Sequence, residues 1–547
     1  MSVGRLPVGV VIGFSEARGP LGRRRSCVCK NPWPSRSLIA AGRPRPNRGE
    51  PAASQPGDDA DGESFDVVAD RAAFYSPPHA AGLKGLGLRG RESVIWRTSK
   101  GTHVMRVLHL STWNRPCGIA TYCGNLVRSL DGLGIRNDIY PLEPHLWRTY
   151  TAADIADLQA DIAEQSRRYD LVHIQHEHGF FGHAVSYKAA ARNYGTMLRK
   201  LRDAGTPVVT TFHTEPLGAG GNGKPTLSPQ KLLRNVNRRM TWKHHVSGCF
   251  GAGGLEAKAI VHTPTTRRAL IKQGMPAEAV HVVEHGCLPQ RQGWSNTAPA
   301  KEQLGLPSDS VLLTMFGFIG SYKGHDVAVR ALAKLPERFH LAICGGAHPE
   351  ADDQFLDKLL KLVRHLGVED RVTITGWLAV DAADVYYAAT DICLAPYVDA
   401  NLSASGAITW ALASGKPTIG SKVPAFQNIC REQPCMLLTT PKMEDEIVWA
   451  AQKLADDPVH SADLVAAAGR YVASYSWDET ARVTENLYTA MVSGQPLAAT
   501  GIGRGRLVAR TAASPTIRRP QSPRIDRRGL LASSGPRAVE PVAARAG

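Results

Sequence analysis

From Met105 onward the chain alternates short apolar runs with stretches of helical periodicity, and it runs through that alternation twice. The segments 106–112, 170–176, 206–213, 258–263 and 279–286 are apolar nearly throughout, the pattern of strands buried on both faces of a parallel sheet. Helical periodicity fills the gaps, as in 120–134 and in 265–274, the latter closed by Gly274 where a helix C-cap belongs. Residues 218–256 are glycine-rich and then basic, and read as a long, partly mobile loop with one helix. After a turn-rich linker at 288–310 the scheme repeats. Strands are expected at 311–320, 339–347, 371–377, 391–397, 416–421 and 435–440, with helices at 327–335, 353–367, 405–415 and 444–457. Such alternation predicts an α/β fold of two tandem, Rossmann-like doubly wound domains, with ligands in the cleft between their C-terminal strand ends. The expected divisions are a tail at 1–104, a first domain at 105–290, a second at 291–476, a terminal helix at 477–494 opened by Ser476 as N-cap, and a tail at 495–547.

A net charge of +16 at first points to a nucleic-acid or membrane partner, but its distribution redirects that reading. Residues 1–104 carry 16 Lys/Arg against 9 Asp/Glu and residues 501–547 carry 10 against 2, which leaves the part between almost neutral. Both tails are rich in Pro, Gly, Ser and Arg and cannot bury enough apolar area to offset their chain entropy, so disorder is expected there. Binding of nucleic acid or anionic lipid by the tail arginines is the lesser reading, and no specific nucleic-acid partner is expected. Translation from Met105, directly before a strand, is a further reading. No run of 18 apolar residues exists, which predicts no spanning helix. The ten cysteines form no CxxC pair for zinc and fit reduced thiols in a cytoplasmic protein.

Several motifs lie at the expected strand ends. Gly118 sits where the first strand passes into a helix, and a glycine there lets backbone N–H groups approach a diphosphate at a helix N-terminus. An ordinary βα turn is the plain alternative, and the glycines do not complete a dinucleotide fingerprint, which speaks against a dehydrogenase. Lys323 follows Gly317 in the turn after the first strand of the second half, where a cation can neutralise a leaving diphosphate. Ser403, Ser405 and Gly406 precede a helix and could cradle a phosphate, with a plain hydroxyl helix cap as the alternative. His213 ends a strand at the cleft rim. The cluster 173–183 holds His173, His176, Glu177, His178 and His183; no second ligand group is recognisable, so hydrogen bonding by His176 and Glu177 on the acceptor side is preferred to metal binding.

In order and spacing, the segments 114–126, 282–286, 316–332, 366–378, 386–397, 411–420 and 475–488 resemble the landmarks of glycosyltransferase family 4, over about residues 105–492. The resemblance implies the two-domain GT-B fold and a retaining transfer of hexose from a nucleotide sugar to an acceptor, with no cofactor and no metal. It implies that Lys323 faces the leaving diphosphate and His213 the donor sugar, with Gly118, Gly317, Ser403, Ser405, Gly406 and Trp410 expected on the donor; His213, Lys323 and Glu177 are the expected catalytic residues, with His176 and Glu177 on the acceptor side from the cluster reading above. It also implies that the helix at 477–494 crosses back to the first domain, anchored by Trp477. Two departures stand out. Phe318 occupies the place of an arginine that usually accompanies the lysine, and Leu402 and Trp410 occupy the places of paired glutamates. They motivate the alternative of a GT-B sugar- or nucleotide-binding protein without turnover. The partners expected are a nucleotide sugar and a carbohydrate or lipid-linked acceptor, with the protein cytoplasmic and in peripheral contact with the inner face of the membrane.

Overall fold

The computed structural model describes residues 96–98, 101–115, 117–182, 187–214, 229–250, 257–290, 297–347, 354–378, 380–399, 402 and 404–494. Most of both expected tails therefore lies outside the described residues. Within the first of them, Trp96–Thr98 and Gly101–His103 pair as antiparallel strands.

Two six-stranded sheets follow, parallel throughout. The first contains β1 (Arg106–Ser111), β2 (Arg136–Pro141), β3 (Leu171–His176), β4 (Val208–Phe212), β5 (Ala257–Val261) and β6 (Val280–Val282) in the order β2-β1-β3-β4-β5-β6. The second contains β7 (Val311–Phe316), β8 (Phe339–Cys344), β9 (Val372–Ile374), β10 (Ile392–Ala395), β11 (Thr418–Ser421) and β12 (Leu437–Thr439) in the order β9-β8-β7-β10-β11-β12. Helices run between the strands, as parallel crossovers require. In each sheet the strand order reverses beside the first strand, at β1/β3 and at β7/β10. Such a reversal opens a crevice beyond the C-terminal strand ends, because the connections on its two sides leave in opposite directions.

The expected burial on both faces holds for the central strands: β3 and β4 are buried at every position, although β3 buries His173, Gln175 and His176 among its aliphatic residues. Strand β2 was not expected, because its sequence RNDIYP is largely polar. It is an edge strand with one flank uncovered, so its residues need not be apolar. Strand β6 is shorter than the expected 279–286, since beyond Val282 the chain leaves the sheet to cross to the second half. The loop expected at 218–256 holds the helix Pro229–His245, while 215–228 and 251–256 lie outside the described residues.

The terminal helix Trp477–Ser493 is capped by Ser476, whose hydroxyl accepts the N–H of Glu479. It packs on the helix Gly118–Gly132 of the first half, where Trp477, Ala481, Leu487 and Tyr488 join Tyr122, Leu126, Leu130 and Val209 in one core cluster. Burial of that apolar face holds the helix on the first half.

Candidate active site

Both strand-order reversals face one cavity of about 530 Å³ between the two halves. Of the residues singled out in the sequence, Gly118, Glu177, His213, Gly317, Lys323, Ser405, Gly406 and Trp410 line it, as do Phe318 and Leu402. Leu402 also forms an antiparallel bridge with Thr214 of the first half. Ser403 and His183 lie outside the described residues.

The wall from the second half is built around β7. Its chain turns at Gly317 (φ 98°) and again at Gly324 (φ 74°), a left-handed conformation that side chains other than glycine's rarely adopt. At Gly324 a Cβ would also stand 2.1 Å from the Pro396 carbonyl oxygen. This tight turn folds Lys323 inward, so that it is only 5% exposed with Nζ 3.5 Å from the Phe316 carbonyl. Burial of the ammonium pushes its pKa down to about 7. Beside it the helix Gly406–Ala413 begins at the cavity. Ser405 holds the N-cap position, but its side chain does not cap the helix; the hydroxyl meets the Tyr397 hydroxyl at 3.0 Å. The plain helix-cap alternative is thereby corrected for Ser405: its hydroxyl is committed to Tyr397, and the N-terminal N–H groups of that helix are not covered by it.

Aromatic rings complete this wall. Phe316 and Tyr387 stack at 3.7 Å between centroids, and Trp410 lies nearly parallel to Tyr387 at 6.3 Å. Phe318 meets Trp377 edge-on at 4.8 Å. Tyr387 and Trp377 were not legible as site residues, since an aromatic residue in a helix or after a strand reads as core.

Neutral polar groups beyond β4 form part of the wall from the first half. His213, just beyond β4, directs Nε2 to the Gln175 side-chain oxygen at 2.8 Å. Burial, reinforced by neighbouring histidines, holds its pKa well below the ordinary value, so the imidazole is neutral at pH 7. The Gln175 oxygen can only accept, so His213 carries its proton on Nε2. The amide nitrogen of Gln175 donates in turn to His173 Nε2 at 3.4 Å, and His173 Nδ1 meets the Tyr488 hydroxyl at 2.5 Å. A chain of hydrogen bonds thus links His213 to the terminal helix.

Glu177 caps the short turn His178–Phe180, its Oε2 accepting the Gly179 N–H at 2.5 Å. His176 requires a correction. It is 2% exposed, stacked on Phe181 and packed against Tyr194 and Phe212, because it occupies a core-facing position of β3 rather than the cavity rim. His285, which follows β6, also lines the cavity. Arg115 and Arg148 line it as well, from the first half. They were not singled out because the motif reading sought a second cation beside Lys323, whereas these approach from the opposite wall. Among the described residues, no three His, Cys, Asp or Glu side chains are grouped to hold a metal ion.

Residues 311–457 match the family model described as glycosyl transferases group 1. A D-inositol 3-phosphate glycosyltransferase of Xylanimonas cellulosilytica is 30% identical over 201 residues, 36% of this chain and 46% of the relative. The chain spans about half the length of the first curated relatives it matches. Among solved structures, Anabaena HepE in complex with UDP-glucose superimposes with a TM-score of 0.53 at 18% identity, covering 71% of this chain and 100% of that one. A sucrose-phosphate synthase from Thermosynechococcus elongatus gives 0.55 at 19% identity, with 71% and 100% covered. The two sheets and their crossing helix thus form the GT-B fold, and residues 311–457 are similar to the group 1 glycosyl transferases.

Proposed function

We propose that the chain transfers a hexose from a nucleotide-sugar donor to a carbohydrate or lipid-linked acceptor, with retention of configuration and without a required metal or other cofactor. The observation that carries this reading is Lys323, a buried amine at the cavity wall beside a helix N-terminus. A buried ammonium without an anion is costly, and a donor diphosphate placed there would return its charge. As the sugar–phosphate bond breaks, negative charge grows on the leaving diphosphate. Lys323 and the N–H groups of Gly406 and Ala407 would stabilise it, with Arg115 and Arg148 supplying positive charge from the facing wall in place of the arginine that Phe318 replaces. Trp410, stacked with Tyr387, offers the nucleoside an aromatic surface where a carboxylate is usual. His213, held neutral with its proton toward Gln175, would contact the donor sugar, and Gly118 opens the helix N-terminus on the opposite wall. Glu177 stands on the acceptor side. Among the described residues no helix is long and apolar enough to cross a membrane; the setting we propose is the cytoplasm, with peripheral contact at the inner face of the membrane.

The test is incubation of the purified protein with UDP-, GDP- and ADP-sugars, scoring nucleotide release. Release with one donor class supports the reading. Saturable binding without release would instead identify a GT-B binding protein without turnover.

A further inference from the structure

The helix Pro229–His245 carries the largest group of exposed apolar side chains among the described residues. Leu232 is 68% exposed, Leu233 71%, Val236 45% and Met240 67%. At 100° per residue the four fall within about 100° of arc. The face that holds the helix to the protein lies on the other side. Trp242 is fully buried, Thr241 nearly so, and the Arg238 guanidinium stands 4.6 Å from the Tyr187 ring. The apolar stripe therefore points away from the body of the protein. The helix contains Lys231, Arg234, Arg238, Arg239 and Lys243 and no acidic residue, and Arg234, Arg239 and Lys243 are exposed.

A stripe of large apolar side chains on a helix rich in cations matches the chemistry of an anionic bilayer surface, with acyl chains for the leucines and phosphate headgroups for the arginines. A protein partner would need both an apolar groove and surrounding carboxylates. The topology adds a position. Arg238 lies on Tyr187 at the start of the preceding helix, Tyr187–Asp203, and the His245 carbonyl accepts from Arg199 further along it, so the two helices run the same way and the turns before Arg238 reach past that start, toward the C-terminal strand ends that bear the cavity. We propose that this helix docks the first half onto an anionic membrane surface, with the cavity mouth on the same edge of the protein. This rests on the glycosyltransferase reading for its purpose, which is access to an acceptor anchored in the bilayer, but its test does not.

The experiment is flotation of the full-length protein with vesicles of phosphatidylglycerol and phosphatidylcholine, and with phosphatidylcholine alone. Two double variants are compared, Leu233→Ser with Met240→Ser and Arg234→Glu with Arg239→Glu. All four positions are exposed, and unchanged melting curves show that the variants fold; should the serine variant not fold, the charge-reversed one carries the test alone. The wild type is expected on the anionic vesicles, with each variant bound about tenfold less or weaker still. Because the basic tails are the same in all proteins, binding that survives equally in both variants belongs to the tails and overturns the proposal. Absence of binding by the wild type overturns it as well. So does a dimer that the variants convert to monomer without vesicles, which would make the stripe a contact with a second copy. Nucleotide release in vesicle-free buffer should be the same for variants and wild type. A donor panel that fails altogether would remove the enzymatic reading and leave the vesicle result standing.

Discussion

The two halves present the cavity with walls of different electrical character built on closely related scaffolds. On the first half the characteristic groups are imidazoles. His213 and His285 both have pKa values pushed down by burial, and the Tyr122 ring lies 4.8 and 5.1 Å from theirs between centroids. At pH 7 this wall is mostly neutral and polar, with Arg115 and Arg148 as its cations. On the second half the corresponding strand end offers a buried amine, two left-handed glycines and the start of a helix. A reversal of strand order makes a crevice in either sheet, but the residues after the strand decide whether it suits hydroxyl groups or an anion. The neutral groups of the first wall can orient sugar hydroxyls, while its two arginines and the amine and backbone N–H groups of the second wall can meet a diphosphate from both sides.

The comparison breaks most readily at Lys323. Lys323→Ala should lower turnover by about 2.7–4 kcal/mol, roughly two to three powers of ten, with a smaller loss of donor affinity, because the charge it meets develops mainly in the transition state. Turnover and donor affinity, with melting curves for both proteins, decide the matter; near-normal turnover in the folded variant would remove Lys323 from the mechanism and leave Arg115 and Arg148 as the cations at the cavity. Trp410→Ala is expected to weaken nucleotide-sugar binding by about 1–3 kcal/mol, the range for loss of an aromatic stacking surface. A lowered melting temperature with unchanged donor affinity would instead place Trp410 in the core.

The smallest effect concerns pH. With a pKa near 7 in the empty cavity, Lys323 is largely neutral at pH 8 and must take up a proton to pair with the donor diphosphate. Above pH 7 donor affinity should therefore fall as pH rises, by up to about tenfold per unit, until the raised pKa of the complex is passed. Below pH 7 it should level off, since the amine is protonated before and after binding. Calorimetry at pH 8 in buffers of different protonation enthalpy should show uptake of close to one proton. In Lys323→Arg, which stays charged, that uptake should vanish. Equal heats in both buffers for the wild type would mean that the amine does not meet the diphosphate.

The alternation of strands and helices was legible because central parallel strands are buried on both faces and hold short runs of aliphatic residues, as β1, β3, β4, β7, β8 and β10 do. What escaped was governed by surroundings rather than by local pattern. Strand β2 lies at an edge and needs no apolar run. The helix Pro458–Ser474 was not singled out; it abuts the helix Glu444–Asp456 with one residue between, and Pro458 at its first position is the sole break. At the site, Gly118, Glu177, His213, Lys323 and Ser405 could be placed from position after a strand or before a helix. Arg115, Arg148, Trp377 and Tyr387 could not, because each enters the cavity from an element whose sequence says nothing of which wall it will face. His176 was misplaced for a related reason: in a strand buried on both faces, alternation alone does not say which histidine points to the cleft.

The chain passes between the halves twice, and the two passages lie side by side. The Cys287 N–H donates to the Tyr475 carbonyl at 2.7 Å and the Trp477 N–H to the Cys287 carbonyl at 3.2 Å, a parallel bridge between the outgoing and the returning strand. Trp477 seals this junction, its ring so close to Gly286 that a Cβ there would stand 2.4 Å from it. A single tether would let one half swivel about its own bond axes as well as swing. Two tethers stitched together cannot be twisted about each other without breaking their shared hydrogen bonds, whereas both can bend in the same direction. The joint therefore resists swivelling more than swinging, and so fixes the register in which the two walls face each other.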